Sequence, residues 1–325
     1  MATIVEIETP RTTPRTRTLG VVTALTGCLL ECPSSLLIRL AKFEQGLGCA
    51  TGYKYATKSL ILSIGLTCWL GGPRAVIRDC FKIGWHFFLA AAICEAAMCV
   101  LWNLAVMLTS AANASAFAML NPMWCIMFTF LLTWERIPMY TLAASIVTFA
   151  CGVAIFVTSQ KSQRRGVESL LGDVLGILCG MSLGVFLTVM RHVQKKHPGA
   201  NPAGVVALGG LLAAAASFML VEAEGNLHEA CYPKSGAIGY TWSLTDGMVT
   251  TMSHILVGLS TRQLPSAVTG LLFLMTAIIQ PYLVWLVLEE RPLDTTLFWG
   301  AILCVTLVVH EIVSFYYAHL KLRGS

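Results

Sequence analysis

The sequence predicts an all-α polytopic membrane protein with ten transmembrane helices in two inverted five-helix repeats. Three observations carry that prediction. Of 325 residues, 56% are hydrophobic and only 12% charged, whereas soluble domains carry about 25% charged residues to wet their surface. Apolar stretches near membrane-spanning length recur from Leu19 to about Phe315, separated by short polar joints. Third, the chain repeats itself. "SAANASAFAMLNPMWCIMFTFLLTWERIP", from Ser110, matches "PSAVTGLLFLMTAIIQPYLVWLVLEERPL", from Pro265, and sets Glu135-Arg136 against Glu290-Arg291, 155 residues apart (290 − 135).

Each element follows from these patterns. Spans are expected near 19–40, 55–72, 84–107, 110–132, 139–158, 172–192, 203–221, 240–259, 265–288 and 296–317. Each must be helical, since lipid offers no partner to an open backbone. The third and fourth run together at "MLTSAANAS", where a hairpin turn is expected. Residues 1–18 read as a flexible cytoplasmic tail, 19–158 as the first repeat, 159–171 as a linker, 172–318 as the second repeat and 319–325 as a short tail. With the N-terminus in the cytoplasm, thirteen of the twenty-two Lys and Arg fall inside and nine at outer ends, Arg39, Lys42, Lys54 and Lys58 among them. The positive-inside rule thus favours both termini inside. Five is odd, so the second half enters the membrane from the opposite side. Inverted halves with a site at their interface are a recurring design for alternating access.

Several functions are disfavoured. The net charge of +5 sits at helix ends, without the aromatic interleaving that a nucleic-acid partner needs. Of the 12 cysteines, most lie in apolar stretches and act as small hydrophobes. Cys28 and Cys32 share a helix face but lack the further ligands of a metal site. Cys49 and Cys231 fall in or near external loops, where a bridge is conceivable. No phosphate-binding glycine loop, zinc-protease helix or nucleophile elbow occurs, so no enzyme activity, catalytic residue, metal or cofactor is expected. The small residues of Gly209–Leu220 suit close helix contact.

Ionisable groups inside a span are costly, so each needs an internal partner or a wet cavity. Glu31 lies mid-span in "LTGCLLECPSSLLIRL", either facing a cavity as a cation or proton site or paired within the bundle. Pro33 beside it suits a broken helix with free carbonyls. Arg39, further along, reads as snorkelling to the surface. Glu95, Cys99, Trp102 and Asn103 share a face, as a polar vestibule or as an interhelical hydrogen-bond cluster. Thr250 is the repeat partner of Glu95, and His254 lies one turn on, as ligand or as packing donor. Asn113 and Gln280 are further cavity candidates. Glu135, Arg136, Glu290 and Arg291 close their helices, for gating or for interfacial capping. His310-Glu311 reads as docking the last helix.

These two halves, each with a small-residue helix start and a Glu-Arg pair closing its fourth helix, resemble the EamA-like proteins of the drug/metabolite transporter superfamily. The resemblance rests on "LTSAANASAFAMLNPMWCIMFTFLLTWERIP" with "YTLAASIVTFACGVAIFV", and on "TRQLPSAVTGLLFLMTAIIQPYLVWLVLEERPLDTTLFWGAILCVTLVVHEIVSF". It implies a ten-helix carrier with a central cavity and cytoplasmic termini, whose relatives move small metabolites, amino acids or drugs. Relatives commonly have Gly before the terminal Glu of the fourth and ninth helices, where this chain has Trp134 and Glu289. The expected function is secondary transport of small organic solutes, with proton coupling through Glu31 or Glu95; the alternative is a membrane-embedded scaffold. The expected partners are the lipid bilayer and a small-molecule substrate, with no nucleic acid. A homodimer is left open as a further partner, since small-residue faces also pack within one chain. An integral multi-pass protein is expected, with the plasma membrane as default location and an organellar membrane as the alternative.

Overall fold

Among the described residues, all regular structure is helical. The computed structural model describes residues 14–70, 72, 74, 77, 78, 84–118, 120–132, 135, 137–162, 167–197, 201–223, 231–289 and 294–323. Its helices are α1 (Pro14–Glu31), α2 (Ser34–Glu44), α3 (Leu47–Leu70), α4 (Trp85–Leu108), α5 (Ala111–Ala118), α6 (Asn121–Leu132) and α7 (Met139–Ser162). After them come α8 (Val167–Lys196), α9 (Pro202–Ala223), a 3₁₀ turn (Gly236–Gly239), α10 (Tyr240–Ser260), α11 (Ser266–Leu272), α12 (Leu274–Leu288) and α13 (Asp294–Arg323).

Seven apolar stretches are long enough to cross a membrane: Thr16–Glu44, Trp85–Leu108, Ala111–Leu132, Leu170–Lys196, Pro202–Glu222, Ser266–Leu288 and Leu297–Tyr317. The sequence predicts ten. α3 and α10 fall outside the set despite lengths of 24 and 21 residues, because they carry polar side chains in their middles. Within α7 the apolar part, Met139–Ile155, is shorter.

Three expected single spans are broken. α1 stops at Glu31 and α2 starts at Ser34, because Pro33 has no N–H to continue the ladder. α5 ends at Ala118 and α6 restarts at Asn121-Pro122, placing a proline in a first turn, where a missing donor costs little. α11 and α12 are separated at Phe273, which lies 155 residues after Ala118 (273 − 118). α3 begins at Leu47, earlier than the expected 55, and so draws Lys54 into the helix and sets Lys58 near its middle.

α12 ends on Glu289, an exposed residue held in the left-handed region at φ 55°, ψ 17°. A side chain costs roughly 1–2 kcal/mol there, and glycine is the usual occupant of such a cap. Glu289→Gly is therefore expected to raise the thermal midpoint of the purified protein by relieving about 1 kcal/mol. An unchanged or lower midpoint refutes the strain account.

Burial runs opposite to that of a soluble protein. Trp69 and Leu286 are 84% and 81% exposed, while Lys54, Lys58, Glu95 and Asp246 are wholly buried. The outside is apolar for lipid and the inside holds the charges. α3 lies against α9 and α10, α4 against α8 and α9, and α1 along α10. α6 meets α8 and α11, and α7 pairs with α13. Close approach of α9 to α4 depends on Gly209, where an added Cβ would fall 2.4 Å from Glu95 Cγ. The small-residue stretch on α9 thus makes room for a buried acid.

Candidate functional site

On α3, Lys54 and Lys58 stand one helical turn apart and share a face. Lys54 Nζ lies 2.9 Å from Asp246 Oδ2 on α10 and donates to Ser34 Oγ of α2 at 2.8 Å. Thr250, one turn along α10, donates to Asp246 Oδ1 at 3.2 Å. Lys58 Nζ is hydrogen-bonded to Glu95 Oε1 of α4 and lies 2.7 Å from His254 Nδ1 of α10. The same imidazole nitrogen is 2.6 Å from Glu95 Oε1. Its other nitrogen, Nε2, faces Glu31 Oε2 at 3.7 Å. Two ion pairs from consecutive turns of α3 thus lead, through His254, to a third acid.

Glu95, Cys99 and His254 bring potential ligand atoms within 4.8 Å of one another, a spacing open to a metal ion. Lys58 Nζ occupies the space among them, also 3.5 Å from Cys99 Sγ. The cation in this nest is an ammonium.

Beside the cluster lies a narrow cavity of about 30 Å³, room for a water or two. From the first half of the chain it is lined by Glu31, Tyr55, Met98, Cys99, Trp102 and Ala118. The second half supplies Cys179, Leu183, His254, Phe273 and Gln280. Two of the helix breaks, at Ala118 and Phe273, reach its wall. So does the end of α1, at Glu31. Gln280 Nε2 donates to Glu31 O at 3.1 Å, while Gln280 Oε1 accepts from Ser115 Oγ at 2.8 Å. One side chain thereby ties α12 to the end of α1 and to α5. Tyr55 is fixed by its hydroxyl, which donates to Cys99 O at 2.9 Å.

Of the residues singled out from sequence, Glu31, Trp102, His254 and Gln280 line this cavity, and Glu95 lies behind it in the ion cluster. Asn103, Asn113 and Thr250 are buried away from the wall. Asn103 Nδ2 donates to Thr51 Oγ1 at 3.1 Å, and the Asn113 backbone N–H donates to Ser110 Oγ at 3.1 Å. Sequence reasoning missed Lys54, Lys58 and Asp246, and it set both lysines at an outer helix end. The i, i+4 lysine pair in "YKYATK" was the available signal. Arg39 is half-buried, and its Nη2 donates to the carbonyls of Val106 and Thr109 at 2.8 and 3.0 Å, capping the C-terminal end of α4.

At the helix ends, Glu135 pairs with both Arg191 and Lys195 of α8, with Arg191 Nε at 3.3 Å. Arg191 Nη1 also donates to Thr261 O and Arg262 O at 2.8 and 2.9 Å. Glu135, between α6 and α7, is therefore tied to α8, and Arg191 carries the link on to the turn after α10. Arg136, Glu290 and Arg291 lie outside the described residues. Cys49, in α3, and Cys231, before the 3₁₀ turn, form a disulfide with Cα atoms 5.1 Å apart. Around it, Glu44 accepts from the backbone N–H groups of Lys234 and Ser235 at 3.0 and 2.9 Å. His310 contacts Thr141 Oγ1 at 3.0 Å, so α13 is docked on α7 by a polar bond.

No family model and no curated protein matches the chain. Solved structures do match: one crystal structure of a protein superposes with a TM-score of 0.67 at 16% identity, over 94% of this chain and 99% of the other. At that identity the likeness is one of fold alone. With membrane-length apolar helices around a charged interior, the chain is an integral, multi-pass, all-α membrane protein whose fold that solved chain shares nearly end to end.

Proposed function

We propose that the chain is a secondary transporter of small organic solutes, built on the EamA-like plan of two inverted five-helix halves and working by alternating access with protons as coupling ion. One observation carries this reading: a cavity walled by both halves, with Glu31 and His254 at its edge and a network of buried ion pairs behind. Inserting a charged side chain at mid-membrane costs about 2.5–3.5 kcal/mol. A scaffold has no use for five of them at its centre, and buried ion pairs seldom repay their desolvation as stability.

The repeat supports inversion. Exchanging the halves turns the neighbours α4 and α8 into α10 and α1, which also touch. Arg39 caps the carbonyl of Val106, and Arg191 caps that of Thr261, 155 residues further on (261 − 106). In an inverted pair these two caps lie on opposite membrane faces. The small volume of the cavity fits an occluded arrangement that admits a solute when the halves part.

The test is uptake by the purified full chain in liposomes, using a radiolabelled panel of amino acids, amines, organic acids and sugars. Flux is measured with and without an imposed pH gradient. At least one solute is expected to enter faster with the gradient. A panel in which nothing moves rejects transport in favour of a scaffold role, and uptake indifferent to the gradient rejects the coupling.

A further inference from the structure

Both ends of the bundle are fastened in the same way, and this repetition, taken with the transporter reading on which this inference rests, identifies the gates. On the face that carries the Cys49–Cys231 disulfide, Arg39 of α2 holds the end of α4 through the carbonyls of Val106 and Thr109. On the face where α1 begins, Gln194 of α8 holds the end of α10. Its Nε2 donates to Gly258 O at 2.9 Å, and its Oε1 accepts from Thr261 Oγ1 at 2.7 Å. That end of α10 lies against the start of α1, since an added Cβ at Gly20 would fall 2.9 Å from Gln263 Cβ. Gln194 is the repeat partner of Arg39, and Thr261 that of Val106, each 155 residues on (194 − 39 and 261 − 106). The same two positions are therefore bonded to each other on both faces. Arg191, one turn before Gln194, supplies the guanidinium at the second, donating to Thr261 O and Arg262 O.

Each clasp also takes an acid from the other half of the chain. Thr109 Oγ1 donates to Asp173 Oδ1 at the start of α8, at 2.7 Å. Glu135, from the first half, pairs with Arg191 and Lys195. Thr109, Asp173, Arg191 and Gln194 are all buried, so both ends are packed shut at once.

The clasps bracket the cavity along its own wall helices. On α4, Trp102 lines the cavity, and Val106 stands one turn beyond it, about 6 Å by the helical rise. On α10, His254 lines the cavity, and Thr261 stands two turns beyond, roughly 10 Å away. Drawing the end of α4 from α2 and α8 uncovers the cavity on the disulfide face, and drawing the end of α10 from α8 uncovers it on the other. Guanidinium bonds to carbonyls at a helix end suit that duty. A released Arg39 or Arg191 lies near the end of its helix and can reach water, so release strands no charge in the apolar core. We propose that the Arg39–Thr109 clasp and the Arg191–Gln194 clasp are the two gates of the cavity, released in turn. One holds while the other opens, because release of both would connect the two sides of the membrane through the cavity.

Cys99 and Cys179 line the cavity and report on access to it. The full chain is reconstituted in sealed liposomes, which are sorted by the side on which an N-terminal tag lies. A charged, membrane-impermeant methanethiosulfonate is added outside, and modification of these two thiols is followed by peptide mass spectrometry. Arg39→Met is expected to speed their labelling from the disulfide face about tenfold or more, as losing charge-assisted hydrogen bonds shifts a two-state equilibrium. Labelling from the N-terminal face should not change. Arg191→Met is expected to do the reverse, and the double variant to be labelled from both sides. Arg39→Lys keeps a charged donor and is expected to fall between the unaltered chain and Arg39→Met. Should a methionine variant not fold, Thr109→Val and Gln194→Leu decide by the same readout. A merely structural contact would lower the thermal midpoint without favouring one side. Acceleration equal from both faces, from the wrong face, or absent in folded variants therefore overturns the assignment. Failure of the transport reading looks different. Side-specific labelling in a chain that moves no solute keeps the gates and loses transport. Solute flux with labelling indifferent to side keeps transport and loses the gates.

Discussion

Glu95→Leu is expected to cost about 3–5 kcal/mol, as removing one partner of a buried ion pair does. The loss falls on Lys58, whose ammonium is wholly buried and draws its main compensation from Glu95. Without that carboxylate, two lysines and His254 compete for Asp246 and Glu31. A large fall in thermal midpoint and a shrunken monodisperse peak in size-exclusion chromatography are the expected readouts. The double variant Lys58→Met/Glu95→Leu removes charge and countercharge together, and buried pairs replaced by apolar residues are often tolerated. It is expected to regain most of the loss. A double variant as damaged as the single one would show that the pairing does not govern stability.

Gly180→Val is expected to be strongly destabilising. An added Cβ at Gly180 would lie 2.6 Å from Ala118 O and 3.0 Å from Phe117 O. These are backbone carbonyls at the end of α5, and they cannot rotate aside as a side chain can. Overpacking of this kind costs typically 1–3 kcal/mol, occasionally more, and the branched valine belongs at the upper end. Gly65 provides the control, since nothing lies within 4 Å of its added Cβ. Gly65→Ala is expected to leave the thermal midpoint within the shift that about 0.5 kcal/mol produces. Similar destabilisation at both positions would sever the link between the α5 break and its close contact with α8.

The membrane class was legible because it rests on composition, and composition does not depend on which helices are neighbours. Glu31, His254 and Gln280 were legible for a related reason: a polar residue stands out in an apolar run. Lys54 and Lys58 were not. Both flank the start of the apolar stretch in "GYKYATKSLILSIG", and a lysine at such a boundary ordinarily reaches for water. Their burial depends on acids 37 and 192 residues away, Glu95 and Asp246 (95 − 58 and 246 − 54), and no local pattern reveals that acids wait there. Asp246 was hidden by its polar neighbours in "TWSLTDGMVTT". The break at Phe273 carries no proline or glycine of its own, and only its alignment with Ala118 would have suggested it. Glu289 was visible as a departure from glycine, yet the reason glycine is wanted, a left-handed backbone, appears only in three dimensions.

The Cys49–Cys231 bond acts as a rivet between α3 and the segment that leads into α10. Arms hinged at one end separate in proportion to distance from the pivot, like the legs of a drawing compass. Near the rivet, α3 and α10 stay within bonding reach, and any scissoring between them grows toward Leu70 and Ser260. The widest mouth that these two helices can form is therefore at the far end of the molecule.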